Sequence, residues 1–347
     1  MVCGKTAAIQ LPRKHSRATG FFPPTSGAES EPLDSRTRPV SRSSFPGRKP
    51  HRLEGFEQPP ILSNQEMTGS TGEKTFDFVQ IGKLAPKPRD TGVIEIRGPY
   101  YTSVTYGYLK DILDDWGEYV DGFKFAGGSM RLLTRVKTRE IIKLCHDQDV
   151  YVSTGGFVER VIAQGPEAVD KYLEECKALE FDMIEVSSGL APIKLEDKVA
   201  IVKQVQKLGM KAKPEVSMMI GAGAGTHIVG YRPKMRSFTD VAKETAAHLN
   251  VGAKILMLES EGITEDLPPR RWRKNAVKKL VEKFGYKTWM FEASDPPVFK
   301  WYLKTFGKDV NLFIDHSQIV EFNAWRLGLW GDSEIWKGKR LSYPGTK

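Results

Sequence analysis

From residue 84 onward, short apolar runs rich in β-branched residues alternate with amphipathic helical patterns. Continuous apolar runs of this length are typical of strands that are buried on both faces of a parallel sheet. The alternation predicts a strand, a helix and then the next parallel strand, repeated along the chain. We predict eight strands, at Val93–Arg97, Val120–Phe125, Val150–Ser153, Asp182–Ser187, Lys211–Val216, Lys254–Glu259, Thr288–Ala293 and Asn311–Asp315.

The number of strand and helix units favours one fold class. Eight units over residues 84–335 match the ~250 residues of a (β/α)8 TIM barrel. A doubly wound sheet is the alternative, but its first strand should lead into a glycine-rich dinucleotide-binding turn. The sequence there is Arg97-Gly98-Pro99-Tyr100, which lacks that pattern. We therefore predict an α/β protein with a TIM barrel over residues 84–335.

The segments on either side of the barrel have a different composition. Residues 1–83 are rich in Ser, Pro, Gly and Arg and show no lasting apolar periodicity, which predicts a disordered N-terminal extension. Residues 1–60 hold ten Lys or Arg and five Asp or Glu, so they carry +5 of the net charge of +9. The rest is nearly balanced, which argues against nucleic acid as a partner. Residues 336–347 are predicted to form a C-terminal tail.

Location and redox state follow from a few residues. Cys3, Cys145 and Cys176 are too few and too scattered for a disulfide framework or a zinc site, so we expect reduced thiols in the cytoplasm. The basic N-terminus faintly resembles a mitochondrial presequence, but Pro12 and Pro23 interrupt the helix that such a signal needs. Mitochondrial import is thus the alternative. No apolar run approaches ~20 residues, so we expect no membrane span.

Four consecutive predicted strands carry a glutamate within their last three residues, at Glu185, Glu215, Glu259 and Glu292. Barrel enzymes place their chemistry at the C-terminal ends of the strands. An unpaired buried carboxylate costs several kcal/mol, so four in register indicate a site that binds a cation. Carboxylate oxygens suit Mg²⁺, which commonly bridges such a site to a phosphorylated substrate. We predict that the four glutamates share one mouth of the barrel.

Cationic residues are predicted at the same mouth. Arg97 ends the first strand and Lys124 is the last residue but one of the second, while Lys211 and Lys213 precede Glu215 with a period of two. These charges are compatible with an anion site. They are also compatible with a salt-bridge layer in which the lysines only neutralise the glutamates. Both interpretations stay open at this point.

Two glycine-rich turns follow the second and third strands. They are Gly127-Gly128-Ser129 and Gly155-Gly156, where backbone N–H groups could cradle an anion, although tight turns alone would also explain the glycines. A third glycine-rich stretch, Gly221–Gly225, follows the fifth strand. It lacks the lysine and spacing of a nucleotide-binding loop, and we interpret it as a flexible active-site loop, with an inert surface loop as the alternative.

Ordered motifs over about residues 87–332 give the sequence a resemblance to the phosphosulfolactate synthase family. The motifs that carry it are Lys87-Pro88-Arg89, Asp121-Gly122-Phe123-Lys124-Phe125, Phe181-Asp182-Met183-Ile184-Glu185-Val186-Ser187, Pro214-Glu215-Val216, Phe291-Glu292-Ala293 and Arg326-Leu327-Gly328-Leu329-Trp330-Gly331-Asp332. The resemblance implies a TIM barrel, dependence on Mg²⁺, a small phosphorylated acid as substrate and assembly into homo-oligomers. The implied reaction is the addition of sulfite to phosphoenolpyruvate.

Taken together, the strand ends and the resemblance give each candidate residue a role. We assign metal binding to Glu185, Glu259 and Glu292, and catalysis to Lys124, Glu215 and Lys213. Binding of the substrate is assigned to the cationic end of the first strand and to the glycine turns, namely Arg97, Gly127, Gly128, Ser129, Gly155 and Gly156.

The sequence departs from the family pattern at places where chemistry is expected. Ser217-Met218-Met219-Ile220 stands where the family has a Gly-Lys segment thought to supply a catalytic lysine, and Ile96-Arg97 replaces Asp-Lys. These departures are more similar to a heat-stress-associated branch of the family. The alternative function is therefore a catalytically altered or inactive barrel that acts in heat-stress tolerance through protein partners.

Overall fold

The computed structural model describes residues 74–221, 234–265, 267–293 and 295–330. Residues 1–73, most of the stretch Gly221–Gly225, and residues 331–347 lie outside these ranges. The predicted domain boundaries and the two predicted terminal segments therefore stay predictions.

Eight parallel strands close into a barrel, which confirms the predicted TIM barrel. The barrel strands are β1 (Ile94–Arg97), β2 (Gly122–Lys124), β3 (Tyr151–Ser153), β4 (Met183–Val186), β5 (Lys211–Val216), β8 (Leu256–Leu258), β9 (Trp289–Glu292) and β10 (Asn311–Asp315). Around the barrel they follow the order β1-β10-β9-β8-β5-β4-β3-β2. The circle closes where β1 pairs with β10, with Ile94 opposite Leu312 and Arg97 opposite Asp315.

One pair of strands was not predicted. The two-residue strands β6 (Met219–Ile220) and β7 (Lys234–Met235) pair in antiparallel fashion beyond the end of β5. Strands this short leave no periodicity to recognise in a sequence. The pair sits between β5 and the following helix, next to the barrel mouth in the chain.

Helices follow the barrel strands along the chain. They are α1 (Tyr106–Trp116), α2 (Arg135–His146), α3 (Val158–Ile162), α4 (Pro166–Ala178), α5 (Leu195–Lys207), α6 (Phe238–Asn250), α7 (Lys274–Phe284), α8 (Pro296–Phe306) and α9 (Ile319–Arg326). The side chains of Thr105, Thr134 and Ser237 cap α1, α2 and α6 by accepting hydrogen bonds from first-turn amides. None of the described helices is long and apolar enough to cross a membrane.

Alternation along each strand separates an outer core from the barrel interior. In β1, Ile94 and Ile96 belong to the large apolar core, whereas Glu95 and Arg97 form ion pairs with residues of β5 and β9. The small apolar cluster Val93, Met257, Met290 and Phe313 packs separately from that core. The interior of this barrel is thus partly ionic. That placement brings charged side chains towards the mouth.

Candidate active site

The C-terminal ends of the strands surround a cavity of about 350 Å³. This volume lies at the lower end of the ~300–1,000 Å³ that small-molecule sites occupy. Its lining is dominated by charge, with three cationic residues and seven glutamates, namely Arg97, Lys124, Arg160, Glu159, Glu185, Glu215, Glu259, Glu261, Glu265 and Glu292. All four glutamates predicted from the strand ends therefore face one cavity, together with Lys124.

Three carboxylates in this lining come close enough to bind one cation. Oxygen atoms of Glu259, Glu265 and Glu292 all lie within 4.8 Å of one another. Ser260 holds two of them in place, since its backbone N–H donates to Glu259 (2.8 Å) and its hydroxyl donates to Glu265 (2.5 Å). This arrangement of hard oxygen donors fits Mg²⁺.

Two members of the cluster share a proton. Burial, and then the negative charge of Glu292, raises the pKa of Glu259 well above its usual value. For Glu292, burial also opposes ionisation, but the hydrogen bond with Glu259 and the charges of Lys124 and Arg97 outweigh it and lower its pKa to about 2. The pair therefore holds one proton near neutral pH, and a metal ion that used both carboxylates would displace it.

Arg97 is fixed at the cavity wall on several sides. Its Nη2 lies 2.9 Å from Oε1 of Glu292, and its guanidinium carbon lies 5.1 Å from the ring centroids of both Tyr101 and Phe313. The backbone oxygen of Arg97 is 3.0 Å from Nδ1 of His316. These contacts hold the cation beside the carboxylate cluster.

Below the cavity, lysines and glutamates form a buried ionic chain. Nζ of Lys124 lies 2.9 Å from Oε2 of Glu185, and Nζ of Lys213 lies 3.1 Å from the same oxygen. Lys213 also pairs with Glu95, which accepts further hydrogen bonds from the hydroxyls of Tyr151 (3.2 Å) and Ser153. Both members of the Lys213–Glu95 pair are completely inaccessible to solvent.

The buried ionic chain affects the roles predicted for Lys213 in catalysis and for Glu185 in metal binding. Lys213 does not line the cavity, so a role for it in catalysis could only be to position Glu185 and Glu95. Glu185 pairs with two lysines. It does not belong to the cluster of three carboxylates, in which Glu265 lies beside Glu259 and Glu292. The salt-bridge alternative thus describes Glu185 well. It does not describe Glu259 and Glu265, which lie within a cluster of carboxylates.

Glu215 is a second cavity glutamate, after Glu259, with a raised pKa. Burial, followed by the negative charges of Glu185 and Glu159, raises its pKa to about 8. Lys198 and Lys124 lower the pKa only in part. Glu215 therefore carries a proton near neutral pH and faces the cavity in the form of a carboxylic acid.

The glycine turns occupy two different positions. Gly127 and Gly156 line the cavity, whereas Gly128, Ser129 and Gly155 do not. At Gly128 (φ 69°) a Cβ atom would lie 2.4 Å from the ring of Phe157, and at Gly155 (φ 59°) it would lie 2.6 Å from the carbonyl oxygen of Phe125. Backbone conformation and packing therefore account for these two glycines.

Several residues of the site were not assigned from the sequence. Glu265 lies in the loop after β8, where a bridge between Glu261 and Glu265 folds the loop back. Arg160 and Glu159 lie on α3, and Tyr101 follows β1 by four positions. Such residues end no strand, so the rule that located the other glutamates could not find them. The strand-end rule also cannot tell how deep in the barrel a lysine such as Lys213 lies.

Comparison with known proteins gives one consistent result. A model of the family described as (2R)-phospho-3-sulfolactate synthase matches residues 82–332. The protein Heat-stress-associated 32 of Arabidopsis thaliana is 32% identical over 252 residues, which cover 69% of this chain and 87% of that protein.

Two archaeal proteins with the name phosphosulfolactate synthase also match. That of Methanocaldococcus jannaschii is 25% identical over 232 residues and covers 65% of this chain and 88% of its own length. That of Methanothermobacter thermautotrophicus is 23% identical over 267 residues, which cover 74% of this chain and 96% of that protein. The expected resemblance, including the greater similarity to a heat-stress-associated relative, is confirmed.

Proposed function

Because the chain belongs to the (2R)-phospho-3-sulfolactate synthase family, we propose that it is a Mg²⁺-dependent lyase acting on phosphoenolpyruvate or a similar phosphorylated carboxylic acid. The observation that carries the proposal is the composition of one cavity. It combines a cluster of carboxylates suited to a divalent cation, cationic residues whose positive charge favours an anionic ligand, and a protonated carboxylic acid. Names of archaeal relatives support sulfite as the second substrate.

In this proposal Glu259, Glu265 and Glu292 hold Mg²⁺. When bound, the ion supplies positive charge that neutralises the substrate carboxylate and the enolate-like charge that develops on it. Sulfite forms a carbon–sulfur bond at the methylene carbon of phosphoenolpyruvate, and the electron pair of the double bond moves towards the carboxylate. The neighbouring carbon then takes a proton, which gives the phosphosulfolactate.

The residues of the chain provide orientation and the proton. Arg97 and Lys124 offset the repulsion between sulfite and the phosphorylated acid and so hold the two together. Glu215 is the general acid, because a carboxyl group with a pKa of about 8 still carries its proton at neutral pH. The hydroxyl of Ser217 lies 3.5 Å from Oε1 of Glu215 and helps to orient it.

A second candidate function rests on the segment after β5. Met218 is buried there and Met219 begins β6, so this segment offers no amine where the family pattern has a lysine. The similarity to Heat-stress-associated 32 favours the same alternative, a catalytically altered barrel that acts in heat-stress tolerance through protein partners. The two candidates differ in whether the cavity turns over a substrate.

The proposal is tested by ligand-induced stabilisation together with product analysis. Mg²⁺ and phosphoenolpyruvate together should raise the melting temperature, because a ligand at 100 times its Kd adds ~2.7 kcal/mol. Lys124→Met should lose the shift from phosphoenolpyruvate but keep that from Mg²⁺. With sulfite added, mass spectrometry should detect a sulfonated product. Glu215→Gln should abolish formation of that product but still bind phosphoenolpyruvate.

The outcomes separate the two candidates. Turnover by the native protein supports the lyase. Binding without turnover favours the catalytically altered barrel. An absence of stabilisation by any phosphorylated acid would overturn the enzyme proposal.

Location is proposed on separate grounds. Cys145 and Cys176 are both free and buried, which supports a reducing compartment such as the cytoplasm.

A further inference from the structure

The wall of the cavity formed by α3 carries a cation to which the proposed mechanism gives no task. Val158 and Val161 of α3 are buried in the apolar core, whereas the side chain of Arg160 is exposed and lines the cavity. The glycines Gly127 and Gly156 line the same cavity and contribute no side chain to it. Arg160 is therefore accessible to a ligand that enters the mouth.

The neighbouring carboxylate of Glu159 is engaged elsewhere. It accepts a hydrogen bond from the hydroxyl of Ser187 (2.7 Å) and from three successive backbone amides of the loop after β4, those of Gly189 (3.0 Å), Leu190 (2.9 Å) and Ala191 (3.0 Å). These four donors satisfy its charge. Within the described ranges of the chain, Arg160 forms no ion pair with Glu159 or with any other residue.

The other two cations of the cavity are held by carboxylates. Arg97 lies 2.9 Å from Glu292, and Lys124 lies 2.9 Å from Glu185. A ligand anion that drew Arg97 away would leave the buried carboxylate of Glu292 without its ion pair, and one that drew Lys124 away would leave Glu185 with Lys213 alone; both changes are unfavourable. Arg160 can accept an anion without that loss. Among the cations that line the described part of the cavity, it is the one best suited to a strongly charged group.

We propose that Arg160 binds the phosphate group of the substrate and thereby determines the preference for phosphorylated acids. This inference rests on the proposed function. The guanidinium group presents a planar pair of donors that matches two oxygens of a phosphate. The substrate carboxylate then belongs at the carboxylate cluster, and the cavity is selective for acids that carry both groups.

The test measures binding, so it does not depend on turnover. The affinities of phosphoenolpyruvate and of pyruvate, which lacks the phosphate, are measured by calorimetry in the presence of Mg²⁺. The native protein should bind phosphoenolpyruvate more tightly than pyruvate. Arg160→Gln should lower the affinity for phosphoenolpyruvate by about tenfold or more and leave that for pyruvate nearly unchanged, since a hydrogen bond to a charged group is lost. Arg160→Lys should be intermediate.

Lys203→Gln is the matched control, because it removes one positive charge from the exposed face of α5, outside the cavity. It should keep the native preference. If Arg160→Gln also keeps the preference, the inference is wrong while the proposed function stands. If the native protein itself shows no preference for the phosphorylated acid, both are wrong.

Discussion

Arg97 and Glu292 form an ion pair, with a distance of 2.9 Å between Nη2 and Oε1, that joins β1 to β9 across the intervening strand β10. The pair places a fixed positive charge beside the carboxylate cluster. Together with Lys124 and the hydrogen bond with Glu259, it keeps Glu292 ionised, while Glu259 retains the proton. The cluster is thus asymmetric before any metal ion binds.

Mg²⁺ binding should therefore release a proton. Calorimetry at pH 7 in two buffers with different ionisation enthalpies should count about one proton released per ion bound. The affinity should increase as the pH rises, by up to about tenfold per pH unit while one proton is displaced. Binding that releases no proton and does not change between pH 6 and pH 8 would contradict the shared proton.

Glu265 should be needed for metal binding although it ends no strand. Glu265→Gln removes one of the three clustered carboxylates and should weaken Mg²⁺ binding by about tenfold or more. Glu261→Gln is the matched control, since it removes the same charge from the same cavity but not from the cluster. Equal losses in the two variants would mean that only the total charge of the cavity matters.

Lys213 should contribute to stability. Lys213→Met leaves the buried carboxylate of Glu95 without its lysine and removes one of the two lysines that pair with Glu185. The free energy of unfolding from urea denaturation should fall by about 3–5 kcal/mol. Lys211→Met, at the exposed start of the same strand, should change it by less than about 0.5 kcal/mol. Adding Glu95→Gln to Lys213→Met should restore part of the loss, and no recovery would argue against the pair as the cause.

The raised pKa of Glu215 should make stability depend on pH. Between the usual glutamate pKa and about 8, the folded state binds the proton more tightly than the unfolded state, so the stability contributed by this group falls as the pH rises through that window. Glu215→Gln mimics the protonated form. The free energy of unfolding of this variant should equal that of the native protein near pH 5 and exceed it by about 1 kcal/mol or more at pH 9. Parallel pH profiles for the two proteins would show that Glu215 is ionised in the fold.

The fold was predictable because buried parallel strands leave continuous apolar runs in the sequence. Glu185, Glu215 and Glu292 were located at the mouth because a strand end fixes the edge of the sheet at which a side chain lies. Glu265 was not located, because its position depends on the path of a loop. The partners of Lys213 were not predictable either, since a period of two gives the face of a strand and not the depth within a barrel.

Because the barrel closes by pairing β1 with β10, the sheet cannot be completed until nearly the whole chain has been synthesised. Ile94 pairs with Leu312, so one edge of β1 stays unpaired until the last strand has emerged from the ribosome. Until then a partial sheet exposes two open edges, which are the places where chains join wrongly and aggregate. Chaperones that cover those open edges would therefore matter to this chain during synthesis, whatever chemistry the finished barrel performs.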